Sequence, residues 1–371
     1  MIIKKMTKIT LNEVLIVSVT IIVLLFINNL IFEQPILFRQ LENKMVDLRF
    51  KLRGTKDSKS DVIIVGVDEK SISGVGLLPW SRTKIAKLIE AISIKEPKVI
   101  GVNILFIGKS TKDADNELIR AVKKGKNVVI ANLLIDQKLN SSTKRVVFEE
   151  NFKELSSAAY GAGYINLNPD RDGVIRHISL KKEPYPAFAE KIVENYMSNT
   201  ATALNKFIIK NGSTYINYYG PRKTFIYLSA IDLLQNKITY ADLKNKIALI
   251  GVETIATPDL NVTPLGIISA TEIHANIVQN LLQNELLYSN KTIDSLISIL
   301  FGLALGFSIK FTPMRKSIYP LLLLIFFYGA ISFYLFSFSS IVLNNMFFLT
   351  FFITLYVILE VTFKAYKRRD V

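Results

Sequence analysis

No cysteine occurs among the 371 residues, which excludes disulfide cross-links, thiolate metal sites and thiol redox chemistry. Histidine is nearly absent too, with only His177 and His274, and tryptophan occurs once, at Trp80. Glu272-Ile-His274 brings a carboxylate and an imidazole together at a predicted helix start. One of each is too few for a zinc site, so a capped helix with a hydrogen-bonded imidazole is the plainer reading. The chain also lacks a nucleophile elbow, a zincin motif, a phosphate loop and a Gly-rich dinucleotide fingerprint. Gly74-Val-Gly76 does not directly follow a strand and has no third glycine. Without clustered titratable groups the sequence gives no ground for an enzyme, and it implies no cofactor and no metal.

Acidic residues are the scarcer sign: 31 against 46 basic ones, a formal charge of +15. This does not signal nucleic-acid binding. About ten basic residues flank apolar segments, the rest alternate with acidic neighbours, and no basic motif is interleaved with aromatics.

Apolar sequence, by contrast, makes up 50% of the chain. Four stretches approach the roughly 20 residues needed to cross a bilayer: 14–32, 292–310, 318–336 and 341–363. The loop 311–317 carries Arg315 and Lys316, and the tail 364–371 carries Lys364, Lys367, Arg368 and Arg369, whereas the turn 337–340 is uncharged. Positive flanks face the cytoplasm. Loop and tail are thus predicted inside and the turn outside, which puts segment 1–13 inside and segment 33–291 outside the cytoplasmic membrane. The first stretch is too long for a signal-peptide core, and Ile27-Asn-Asn-Leu-Ile-Phe32 offers no small-residue cleavage site, so an uncleaved anchor is expected.

The outer segment predicts an α/β domain. Asp61–Val67 and Val99–Phe106 are β-branched runs of the kind buried on both faces, and Asn127–Ala131 continues them. Helices predicted from Ser81 to Ala91 and from Asp113 to Val122 lie between, so the strands are parallel with right-handed crossovers. The pattern returns with a strand at Lys246–Val252 and a helix from Ala270 to Leu282, continuing to about Leu287. Tyr164–Leu167 and Val174–Leu180 flank a turn, which predicts an antiparallel hairpin added to the mostly parallel sheet.

Ligands of open α/β sheets bind beyond the carboxyl ends of the strands. Asp68, Glu69, Trp80 and Arg82 follow the first strand, with Asn103 and Phe106 in the second, and these are the candidate ligand-binding residues. Asn168-Pro-Asp170-Arg-Asp172-Gly173 matches the first half of a calcium loop, but Ser179 stands where a bidentate Glu is required, so an Asp-Gly turn is the better reading. Gly302-x-x-x-Gly306 marks a helix-packing face in the second span, toward a second copy or a neighbouring span. Only Tyr288–Thr292 separates the late helix from that span, so Glu272, His274, Gly302 and Gly306 are candidates for transmitting motion across the membrane.

Taken together, these residues resemble the CHASE family of type two, the extracytoplasmic sensory domain associated with bacterial cyclases and histidine kinases. The matching segments begin with Asp47–Gly54, Val65–Ser71, Leu78–Arg82 and Pro97–Phe106. They continue with Gly163–Asn166, Asp170–Arg176, Ile216–Pro221, Lys246–Gly251, Thr263–Gly266 and Glu272–Asn276. The family pattern usually has Asp where this chain has Asn103. The resemblance implies a membrane-bound receptor for an unidentified extracytoplasmic ligand, with one anchor before the domain and three helices after it. Its partner would be a cyclase or kinase, with pairing to a second copy left open. Because 364–371 holds no output module, a stand-alone sensor is expected; the alternatives are the input part of a longer or split cyclase or kinase, and a non-sensory envelope scaffold or extracytoplasmic enzyme.

Overall fold

The computed structural model describes residues 36–58, 61–138, 144–182, 185–197, 214–254, 259–312 and 316–367. The expected anchor at 14–32, Arg315 and the last residues of the tail lie outside the described residues. The chain divides into two compact units, Phe50–Leu286 and Met1–Arg49 with Leu287–Val371.

The chain opens with α1 (Ile36–Arg53), β1 (Val62–Val67), α2 (Glu69–Val75), α3 (Arg82–Ser93), β2 (Val99–Val102), α4 (Lys112–Gly125) and β3 (Val128–Lys138). There follow β4 (Lys144–Glu149), α5 (Lys153–Ala158), β5 (Gly161–Tyr164), β6 (His177–Ile178), β7 (Lys181–Lys182), β8 (Tyr185–Pro186), α6 (Phe188–Tyr196) and β9 (Thr214–Tyr215). Then come β10 (Ile226–Ser229), α7 (Ala230–Leu234), α8 (Tyr240–Leu243), β11 (Ile247–Val252), β12 (Leu260–Thr263), β13 (Gly266–Ser269) and α9 (Ala270–Gln283). Three long helices follow: α10 (Lys291–Phe311), α11 (Ile318–Phe338) and α12 (Asn345–Lys367).

In the Phe50–Leu286 unit the strands run in the order β10-β1-β11-β2-β3, all parallel. The first part of β3 also pairs β5 in parallel, and its second part pairs β4 antiparallel. Every residue of β1 and β2 is buried, as β-branched runs in a sheet covered on both faces should be. On one face α3 and α4 supply Ile85, Leu88, Ile89, Leu118 and Val122 to the core. On the other, Phe188 and Ile192 of α6 close over Gly101 of β2, where a Cβ would meet them at 2.9–3.2 Å. The α/β class, with its mostly parallel sheet and antiparallel additions, is as predicted.

Three details differ from the sequence expectation. Strand β2 stops at Val102: Asn103 N–H still donates to Ile250 O (2.8 Å), but Phe106 N–H turns to the Asn151 side chain (2.8 Å). The hairpin partners also change. Asp170–Gly173 is the expected turn, closed by Gly173 N–H to Asp170 O (2.9 Å) with φ +79° at Gly173. Its first flank, however, continues β5 along β3, and Asn166 exchanges two hydrogen bonds with the Leu134 backbone (2.8 and 2.9 Å). The second flank pairs with β9 instead. Finally, α9 ends at Gln283 rather than Leu287, because Asn284 adopts a left-handed φ of 60° and its N–H returns to Asn280 O.

In the other unit, α10, α11 and α12 pack through Leu305, Tyr328, Phe348, Phe351, Phe352 and Leu355. Among the described residues two helices are long and apolar enough to cross a membrane, Lys291–Ser308 within α10 and α11, rather than the four expected. The apolar part of α12, Asn345–Val361, is shorter. It starts later than expected because Ile341 and Val342 are drawn into a bridge beside Tyr288, with Val342 N–H donating to Tyr288 O (2.9 Å).

Candidate functional site

Parallel strands deliver their last residues to one edge of the sheet, and here β1 and β2 are followed by Asp68 and Asn103, β10 ends on Ser229 and β11 is followed by Glu253. Asp68 caps α2: its Oδ1 accepts from Ser71 N–H (2.8 Å), Ser71 Oγ (2.6 Å) and Ser229 Oγ (2.7 Å). Burial pushes the carboxyl up, but these hydrogen bonds outweigh it and hold it below the usual range. Glu69 is exposed in the first turn of α2. Trp80 is buried in the α3–α4 core and donates Nε1–H to Gly76 O (2.8 Å). Arg82 is paired with Asp115, donates to Gly108 O (2.7 Å) and lies over the Phe152 ring. Phe106 is in the same core. Asn103 donates Nδ2–H to Thr271 Oγ1 (3.1 Å), and its Oδ1 has no partner among the described residues. Trp80 and Phe106 therefore share the core beneath the edge, with Arg82 against its Phe152, while Asp68, Glu69 and Asn103 sit in other contacts.

The structure adds a buried carboxyl pair that the sequence reading missed on one side and half-saw on the other. Glu253, 4% exposed, accepts from Ser269 Oγ at Oε1 (2.5 Å), while its backbone O accepts from Arg222 (2.9 Å). Burial pushes its carboxyl up to about 7, helped by the Glu272 charge and opposed by the Ser269 hydrogen bond and Arg222. Gly66 makes the room, since a Cβ there would lie 2.7 Å from Glu253 Cγ. Gly66 is in register with Gly251, whose own missing Cβ admits Thr271. Two glycines in adjacent buried strands, with an acidic residue just after the second, were the available signal.

Glu272, 1% exposed in the first turn of α9, accepts from Tyr227 Oη (2.7 Å), Thr224 N–H (3.1 Å) and Lys223 N–H (3.2 Å). Burial nevertheless raises its pKa. It is also the first rung of a polar ladder along α9. Asn276 Oδ1 accepts from Tyr219 N–H (2.9 Å), while Asn280 accepts from Asn217 N–H (2.9 Å) and donates to Asn217 O (3.0 Å). Residues four apart share a helix face, so 272, 276 and 280 hold the backbone of 217–224 much as a neighbouring strand would. His274 faces elsewhere: Nε2 lies 3.2 Å from Ile165 O, the ring meets Phe188 edge-on, and burial lowers its pKa to about 4.

The calcium-like turn has its oxygens occupied by a cation already present. Arg176, fully buried, donates to Asp170 Oδ2 (2.8 Å) and to both oxygens of Asp172 (2.9 and 2.8 Å), and His177 Nδ1 lies 3.0 Å from Asp170 Oδ1. In the other unit, Gly302 packs on Phe351 and Leu355 of α12, where a Cβ would lie at 3.1–3.4 Å, whereas Gly306 has nothing within 4 Å. Gly302 thus serves an intramolecular helix contact.

A doubly covered, mostly parallel α/β domain with polar groups gathered at the carboxyl edge of its sheet, in a chain that also carries two helices long and apolar enough to cross a membrane among the described residues, defines the class as α/β. The chain matches the CHASE2 domain over residues 17–308 and belongs to that family. The CHASE2 domain is an extracytoplasmic sensory domain and not a catalytic one. Comparison with curated proteins and with solved structures returned no match.

Proposed function

We propose that this protein is a multi-pass receptor of the cytoplasmic membrane. Its Phe50–Leu286 unit lies outside the cytoplasm, receives a signal at the carboxyl edge of the sheet, and passes it through the membrane helices to a separate or downstream signalling output such as a cyclase or kinase. The observation that carries this reading is the extent of the family match: residues 17–308 run from the N-terminal apolar stretch through the α/β domain into α10, which supports reading the domain and the flanking apolar segments as one unit. At the sheet edge, Asn103 offers an acceptor oxygen without a partner among the described residues, and Glu69 presents its carboxylate on the surface. Glu272 and His274 belong to the interior of α9, and Asn284–Asn290 is the short covalent path from α9 to α10.

Topology tests the reading directly, because the wild type has no cysteine to remove. Leu77→Cys, at a position 81% exposed, should react with a membrane-impermeant maleimide in spheroplasts, and Lys316→Cys should react only after the membrane is opened. The reverse labelling pattern overturns the receptor orientation.

A further inference from the structure

The N-terminus of α12 is held by side chains from outside its own helix. Glu42 of α1 accepts at Oε2 from Met346 N–H (2.9 Å), and Asp294 of α10 accepts from Asn344 N–H (3.1 Å). Ser332 of α11 donates to Asn345 Oδ1 (2.9 Å), so α1, α10 and α11 all converge on one helix end. Glu42 is also ion-paired with Arg49 one heptad along α1, and the Arg49 guanidinium sits over the Phe336 ring of α11 at 5.7 Å. Glu42, Arg49 and Asp294 are 6%, 4% and 3% exposed. Carboxylates favour helix N-termini, where unpaired N–H groups and the helix dipole attract negative charge. A buried ion pair is a poor source of net stability, because desolvation offsets most of the attraction; its best-attested use is to specify one arrangement over another. The last turns of α1 grip the α/β domain instead. Arg53 donates to Asn217 Oδ1 (2.6 Å) and to Tyr218 O, and Phe50 meets Tyr218 edge-on at 5.9 Å. Asn217 is itself the residue whose backbone Asn280, the last rung of the ladder on α9, holds.

We propose that Glu42 and Arg49 form a latch through which α1 reports the state of the α/β domain to the N-terminal end of the last membrane helix. The latch rests on the receptor reading and adds a specific route to it: from the α9 ladder through Asn217 and Arg53 along α1 to Glu42, and from Glu42 to Met346. It needs no new contact, only that a shift of α1 change how well Glu42 meets the Met346 amide.

Hydrogen exchange of residues 341–348, measured on the full chain in lipid nanodiscs, tests this without a ligand. Glu42→Gln, which keeps the shape and removes the charge, should speed exchange at Met346 about tenfold, the usual scale for losing a charge-assisted acceptor. Arg53→Ala, whose contacts lie in the α/β domain, should speed exchange in the same segment about threefold. The same substitution should have no further effect in a Glu42→Met/Arg49→Met double variant, which replaces the pair by apolar side chains and serves as well where Glu42→Gln does not insert. Arg53→Ala raising exchange at 217–219 while leaving 341–348 unchanged would overturn the latch, as would an equal effect in the double variant. Inverted maleimide labelling would instead overturn the receptor orientation and leave the coupling measured here intact, so the two failures are distinguishable.

Discussion

Replacing Glu253 by Gln should reshape the pH dependence of the α/β domain's stability in a way that the structure makes calculable. The carboxyl ordinarily titrates at 4.5 and is pushed up to about 7 in the fold. A tenfold change in proton affinity is worth about 1.4 kcal/mol, so ionised Glu253 costs the folded state about 3 kcal/mol. Its folded pKa lies above its unfolded one, so folding takes up a proton between these values. That disfavours the folded state progressively as pH rises from 4.5 to 7. His274 acts with the opposite sign. Its pKa falls from 6.5 to about 4, so the unfolded chain binds the extra proton, and stability rises by a similar amount from pH 4 to 6.5. The two slopes largely cancel in the wild type, whose profile should be shallow in this window; Glu272 and Asp259, both raised by burial, add to the Glu253 side. Glu253→Gln removes one slope. The stability difference, variant minus wild type, should therefore move in the variant's favour by about 3 kcal/mol between pH 4.5 and pH 8. Trp80 is the only tryptophan and is buried in this domain's core, so its fluorescence during denaturant unfolding reports the domain alone. A difference that stays flat across that range refutes the argument, because it would mean that Glu253 is ionised without penalty.

Further outcomes follow from the same contacts. Arg176→Met should destabilise the domain by about 3 kcal/mol by Trp80 fluorescence, because it removes the buried guanidinium that Asp170 and Asp172 share, and millimolar calcium should leave the wild-type unfolding midpoint unchanged. Asn280→Ala removes both bonds to the Asn217 backbone and should cost about 2 kcal/mol by the same assay, with faster hydrogen exchange confined first to 217–219. Gly163→Ala puts a methyl 2.6 Å from Phe188 N and 2.7 Å from Ala187 O; backbone cannot yield as a side chain can, so a loss of at least about 3 kcal/mol, or failure to fold, is expected.

The sheet was legible because its strands are buried on both faces and therefore written as unbroken β-branched runs. Val62–Val67, Val99–Val102 and Ile247–Val252 all fall within the predicted segments. Helix α3 was legible to the residue at its start, since Ser81 does accept from Lys84 N–H. Partner choice was not. Tyr164–Leu167 and Val174–Leu180 both read as strands, and nothing local says that Asn166 will bond Leu134 rather than the residues across the turn. Ser179 at the position of the bidentate Glu already argued for a turn over a calcium loop, but nothing in the spacing named the cation that Asp170 and Asp172 hold instead. That cation is Arg176, which lies outside the loop's first six positions and turns back into it.

The α9 ladder shows why the most informative polar residues stayed hidden. Apolar periodicity marks a face that meets other apolar groups, and a polar face is read by default as solvated. Glu272, Asn276 and Asn280 break that default: all three are 0–1% exposed. Their spacing of four is the period of a helix face, yet what they meet is backbone N–H and C=O of an irregular segment, Asn217 to Thr224, that has no strand partner among the described residues. Buried backbone must be paired, so a loop crossing a core either joins a sheet or finds side chains that imitate one, and carboxylate or carboxamide groups one turn apart can do so. Glu272, Asn276 and Asn280 on one side and the backbone of Asn217 to Thr224 on the other are therefore the two sides of a single hydrogen-bonded seam. In this chain the seam continues through Asn217 to Arg53, so the residues that close the domain's core are also the ones in contact with α1.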